Sequence, residues 1–111
     1  MSQGIFYVKF KANTGDYGDG IVVVKDGSAN GGDAHYLYRG KVPTHSGEFQ
    51  SKFTISKWKS GNTNVVGIDN YVLEAKGAVD YEGGKIQLEG VVAGHPQLKM
   101  SIVGQKISDT E

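Results

Sequence analysis

GSANGGDAHYLYRG, residues Gly27 to Gly40, is the stretch whose reading decides the fold. Its first half is glycine-rich and its second half, from His35, has the composition of a strand. A phosphate cradle of the Walker type needs GxxxxGK followed by Ser or Thr. It must also sit between a strand and a helix, so that backbone amides and a helix N-terminus converge on the anion. GSANGGD lacks the Lys-Ser/Thr ending and runs into a β-rich segment. The dinucleotide fingerprint fails for the same reason. The glycine-rich half is therefore expected to be a turn that lets a new strand begin.

Outward from this stretch the apolar residues recur with a period near two. Phe6, Val8 and Phe10 share one face of FYVKFKA, with Tyr7, Lys9 and Lys11 on the other. NTGDYGDG, residues 13–20, reads as turn material, because Asn, Asp and Gly tolerate left-handed geometry. The run Ile21-Val22-Val23-Val24 is β-branched without alternation and suits a strand covered on both faces. His35 to Val42 is strand-like. Phe49, Ser51, Phe53 and Ile55 then alternate with polar residues up to Trp58. Residues 60–64 read as a loop, and 65–68 fit either a short strand or an irregular connection. Tyr71, Leu73 and Ala75 open a regular strand that runs to the turn Glu82-Gly83-Gly84. Ile86, Leu88 and Val92 share a face of the next strand. Gly94-His95-Pro96 reverses the chain, and Leu98, Met100 and Ile102 form the dry side of the last strand.

No segment has a sustained helical period. Short connections imply antiparallel pairing, because parallel crossovers need a dozen or more residues. Seven to nine strands without helical cover indicate a closed barrel or a sandwich. Gly40, Gly77, Gly90 and Gly104, placed in or near strands, favour the coiling of a small barrel. The expected fold is an all-β, antiparallel barrel of about eight strands.

The 111 residues are expected to form one domain, 1–111. Twelve basic residues cancel twelve acidic ones, leaving no overall field to gather nucleic acid or anionic lipid. The chain has no cysteine, and MSQGIFYVKF has none of the three parts of a secretory signal. No apolar run approaches the roughly 20 residues of a membrane-spanning helix. These features point to a cytoplasmic protein that binds neither nucleic acid nor membrane.

In chain order, GIFYVKF (4–10), GDGI (18–21), GGD (31–33) and YRG (38–40) follow a pattern that resembles the GrlR family. The closing pair KIQLEGVVAG and LKMSIVGQKI extends the likeness over nearly the whole chain. That family is named for a negative regulator of type III secretion in attaching-and-effacing enteric bacteria. The resemblance implies a lipocalin-like barrel with an apolar interior, often dimeric and without enzymatic activity. The named regulator engages a transcriptional-activator partner through an acidic run just after its YxG strand. The equivalent place here, Pro43-Thr44-His45-Ser46-Gly47-Glu48, holds a single acid. The resemblance thus carries the fold further than it carries that docking loop.

Other constellations are weaker. His35, His45 and His95 lack any compact ligand spacing, and with no cysteine a zinc site would need distant carboxylates. Asp16, Asp19, Asp26, Asp69 and Glu82 sit in turn-like segments, Glu74 and Glu89 fall on wet faces, and no GxSxG elbow is present. Lysines among the aromatics of FYVKFK and FTISKWK resemble a single-strand nucleic-acid platform, but the balanced charge makes wet faces the simpler reading. No catalytic residue, metal or cofactor is assigned.

The expected function is a regulatory binding module, a homodimer acting on a transcriptional-regulator protein and modulated by an apolar ligand in its interior. One alternative is a carrier or sensor of a hydrophobic, lipid-like molecule. An enzyme built in the barrel mouth is a third. A small barrel is either filled by its side chains or holds one ligand. A hollow one would be lined by Phe6, Phe10, Phe53, Leu88 and Met100. Tyr36 or Tyr38 would then offer a hydroxyl near the rim to orient the polar end of the ligand. Val22 or Val24, with Val91, would supply the outward apolar residues hidden in a dimer.

Overall fold

A computed structural model describes residues 3–15, 17–59 and 69–110. The chain forms β1 (Gly4–Ala12), β2 (Tyr17–Lys25), β3 (Ser28–Gly32), β4 (Tyr36–Lys41), β5 (Gly47–Lys57), β6 (Asn70–Asp80), β7 (Lys85–Val92) and β8 (His95–Ser108). Each strand pairs antiparallel with the next, and β8 returns to β1, so the sheet closes into a barrel in simple sequence order. Closure removes every free edge, which is how so small a sheet avoids templating other chains. No helix of the described residues is long and apolar enough to cross a membrane.

Alternation sets the inside and the outside. Phe6, Val8, Val24, Phe53, Ile55, Leu73, Leu88, Val92 and Met100 are buried together in one core. Lys9, Lys11, Lys52, Glu74, Lys76 and Glu89, each one residue out of phase, are exposed. The expected faces of β1, β5, β6, β7 and β8 are therefore the observed ones.

Four expectations need correction. First, the glycine-rich half of the opening stretch is no turn: Ser28–Gly32 is β3, paired with β2 on one side and β4 on the other. The turn is at Asp26 and Gly27, whose φ values of 54° and 77° make a tight hairpin of the kind that suits twisted strands. Gly31 and Gly32 of β3 lack side chains where there is no room for them. A Cβ on Gly31 would lie 2.2 Å from the carbonyl oxygen of Ile21 and 2.7 Å from the Cα of Val22. Second, Tyr17–Gly20 belongs to β2, so the first turn is shorter than residues 13–20. Third, the run from Ile21 to Val24 is not covered on both faces. Val22 and Val24 point inward, whereas Ile21 and Val23 are exposed. Fourth, at the β7–β8 reversal, His95 and Pro96 already lie in β8. The expectations for residues 60–68 fall outside the described residues.

The two ends differ. At one end, the Tyr81 hydroxyl donates to the Pro43 carbonyl at 2.6 Å and the Tyr81 amide to Ser46 Oγ at 2.9 Å. Ser46 Oγ donates in turn to Glu82 Oε1 at 2.7 Å, a bond that holds the Glu82 carboxyl below the usual range. These bonds tie the β4–β5 connection to the β6–β7 turn and shut that end. The opposite end carries the β1–β2, β3–β4, β5–β6 and β7–β8 connections. There Asn13 joins two hairpins: its Nδ2 donates to the Gln97 carbonyl at 2.9 Å and its Oδ1 accepts from the Lys99 amide at 3.2 Å.

Candidate functional site

The barrel is hollow. A cavity of about 420 Å³ runs along its interior, within the ~300–1,000 Å³ of ordinary small-molecule sites. Its deep wall is apolar, with Val24, Val42, Phe49, Val79 and Ile86 toward the closed end, and Phe53, Leu73, Leu88, Met100 and Ile102 around it. Polar groups gather at the other end, where Asp33, His35, Tyr36, Tyr38 and Tyr71 line the mouth.

Phe10, Tyr36, Tyr38, Phe53, Leu88 and Met100, all expected on the wall from sequence, do line this cavity. Phe6 does not. It has no exposed surface and is packed into the core rather than onto the wall. His35 reaches the mouth, while His45, in the β4–β5 connection, and His95, the first residue of β8, are exposed. Among the described residues no group of three or more His, Cys, Asp or Glu side chains converges to hold a metal ion.

The mouth is built from Asp33 outward. Asp33 Oδ1 accepts from the amides of His35 and Tyr36, each at 2.9 Å, which forms the β3–β4 turn. Its Oδ2 accepts the hydroxyl proton of Tyr38. Its carbonyl oxygen accepts from Trp58 Nε1 at 3.2 Å. The GGD motif therefore matters for its aspartate as much as for its glycines. Tyr38 is steered from behind as well: its ring meets Phe10 edge-on, with centroids 5.2 Å apart at 86°. It also lies over Gly20, where a Cβ would stand 2.9 Å from the ring.

The register brings in Tyr71, which sequence reading set in alternation with Leu73 and Ala75 but did not join to the site. Tyr38 pairs with Ile55 across β4–β5, and Ile55 pairs with Tyr71 across β5–β6. Burial pushes the pKa of both tyrosines up. The hydrogen bond to Asp33 and the carboxylate's charge reinforce this at Tyr38, and the charges of Tyr36 and Asp33 reinforce it at Tyr71. The Tyr36 hydroxyl stands 3.5 Å from Asp69 Oδ1, and the same carboxylate pairs with Lys57 Nζ at 3.1 Å. Such a site can hold an apolar body in its depth and orient a polar group at its mouth.

A search of curated proteins returned no match. The family model described as T3SS negative regulator, GrlR, matches residues 1–110. With its closed, hollow, eight-stranded barrel, the chain belongs to the GrlR family of type III secretion negative regulators.

Proposed function

We propose that the protein is a non-catalytic regulatory module of the cytoplasm. In this reading it acts on a transcriptional-regulator protein and is modulated by an apolar ligand in the barrel. Membership of a family of type III secretion negative regulators carries the reading. The exterior supports it: charged residues stud the outward faces of β1, β5, β6 and β7, unlike the apolar band of a lipid-facing barrel.

The partner would be met by a dimer. On the adjacent strands β8, β1 and β2, outward Ile107, Val103, Ile21 and Val23 are between 37% and 59% exposed. Cross-strand pairing sets Val23 against Ile5 and Ile21 against Tyr7, an apolar patch on β1 and β2, while on β8 Val103 stands opposite Lys9 and Gln105 opposite Tyr7. A two-fold dimer would cover the patch. The interface thus draws on Ile21 and Val23, not on Val22 or Val24, which point inward. Val91, in register with Glu74 and Lys99, sits away from this patch.

A second reading, a carrier or sensor of a hydrophobic molecule, is favoured by the cavity itself. Two measurements on protein purified from its native host separate the two. Saturable binding to the host's purified type III secretion activator supports regulation. Lipid released by solvent extraction, with no binding to the activator, supports carriage. Leu88→Trp, which places a bulky ring in the cavity wall, should abolish ligand release while leaving activator binding to the outer surface intact.

A further inference from the structure

We infer that the cavity takes an amphiphile of the alkylammonium class, with its tail in the barrel and its positively charged head against Asp33. The inference rests on the reading of the cavity as a ligand site given above, and adds the chemistry of the head group.

The cavity has a direction. Its far end is shut by the Tyr81–Pro43 and Ser46–Glu82 bonds, so an elongated molecule enters tail first and leaves its head at the mouth. The charge at that mouth is negative. Asp33 lines it, and no Lys or Arg does among the described residues, while Asp19, in register with Lys9, accepts the Tyr7 hydroxyl at 2.7 Å on the outer face. Lys57 is paired with Asp69 and lies 6.0 Å from the centroid of the Tyr36 ring, and Lys11 lies 5.4 Å from the centroid of the Tyr17 ring. Lys9, opposite Asp19 in register, is on the outward face of β1 over the Tyr7 ring.

The polar groups are of matching sign. A carboxylate offers about four acceptor sites, and Asp33 uses three of them on the His35 amide, the Tyr36 amide and the Tyr38 hydroxyl. These donors fix the carboxylate in place and leave it one further acceptor site. Tyr36, Tyr38 and Tyr71 present aromatic surface around it, which attracts cations. A carboxylate head would meet Asp33 as a like charge. An alkyl alcohol would gain a hydrogen bond but no charge attraction. An alkylammonium gains both.

The test compares three probes of equal chain length, dodecylamine, dodecanol and dodecanoate, each below its micelle concentration at pH 7. Melting of the full chain and calorimetric titration give the affinities. The expected order is dodecylamine tightest, by about tenfold or more over dodecanol, with dodecanoate weakest. Asp33→Asn should bring dodecylamine down to the affinity of dodecanol. Should loss of the charge unfold the turn, Ala34→Lys supplies the same test from an exposed position on the mouth, and should reverse the order in favour of dodecanoate. Dodecanoate binding as tightly as dodecylamine to the unaltered protein would overturn the head-group inference and leave the cavity as a ligand site. So would an order unmoved by Ala34→Lys. If none of the three probes raises the melting temperature, the cavity reading itself fails.

Discussion

Tyr38, on the inner face of β4, donates its hydroxyl to Asp33 in the turn that precedes the strand. The bond locks the β3–β4 hairpin to the cavity wall, because the same carboxylate caps two amides of the turn. Tyr38→Phe keeps the ring against Phe10 and removes only the bond. It should cost about 1 kcal/mol, since a charge-assisted bond to an exposed carboxylate is partly screened by water. Urea unfolding measures it, and an unchanged midpoint would show the bond to be idle.

The buried tyrosines give the alkaline limb of stability a definite sign. Tyr38 and Tyr71 hold their protons more tightly in the barrel than in the unfolded chain, where tyrosine titrates near pH 10. Their contribution is complete below about pH 10 and is lost as the pH rises through their folded values. Stability should therefore fall from about pH 10 upward. The double variant Tyr38→Phe, Tyr71→Phe should flatten that fall. Equal alkaline slopes in both proteins would contradict the assignment.

The face assignment is tested on neighbouring residues of β5. Phe53 is buried on the cavity wall, so Phe53→Asp should cost several kcal/mol, roughly 3–5, whether the carboxyl is buried charged or neutral. Lys52 points outward with its side chain 74% exposed, 3.9 Å from Glu74. Lys52→Gln should change stability by no more than about 0.5 kcal/mol, as expected of an exposed ion pair. Comparable losses at the two positions would mean the strand is turned the other way.

Assembly is read by light scattering. The unaltered protein is expected at twice the 11.9 kDa chain mass at micromolar concentration. Ile21→Lys combined with Val23→Lys should return it to a single chain without lowering the folded content seen by circular dichroism. A monomeric unaltered protein would remove the dimer from the account.

The barrel was legible because an antiparallel strand with one dry side writes a period of two into its sequence, and β1, β5, β6, β7 and β8 all do so. β3 was not legible. SANGG carries one apolar side chain, Ala29, and its glycines are set by neighbours distant in sequence, Ile21 and Val22 above all. The facing of Ile21-Val22-Val23-Val24 was hidden for a different reason: four β-branched residues in a row look the same whichever pair faces in. Sequence placed Tyr36 or Tyr38 near the rim, with the facing of that strand set by a turn it did not show. It did not join Tyr71 to them, since that placement depends on the registers of β4–β5 and β5–β6, which set Tyr38 and Tyr71, 33 positions apart, on either side of Ile55. Asp33 was visible only as the last letter of GGD. Its role as the acceptor at the centre of the mouth follows from backbone geometry that composition does not encode.

The central claim is that this barrel regulates by binding a protein partner. Calorimetric titration of the purified chain into the purified transcriptional activator of its host's type III secretion genes tests it most directly. The account expects a saturable, stoichiometric complex at micromolar concentrations that survives Leu88→Trp. No heat of binding at tens of micromolar, with both proteins folded, would contradict it.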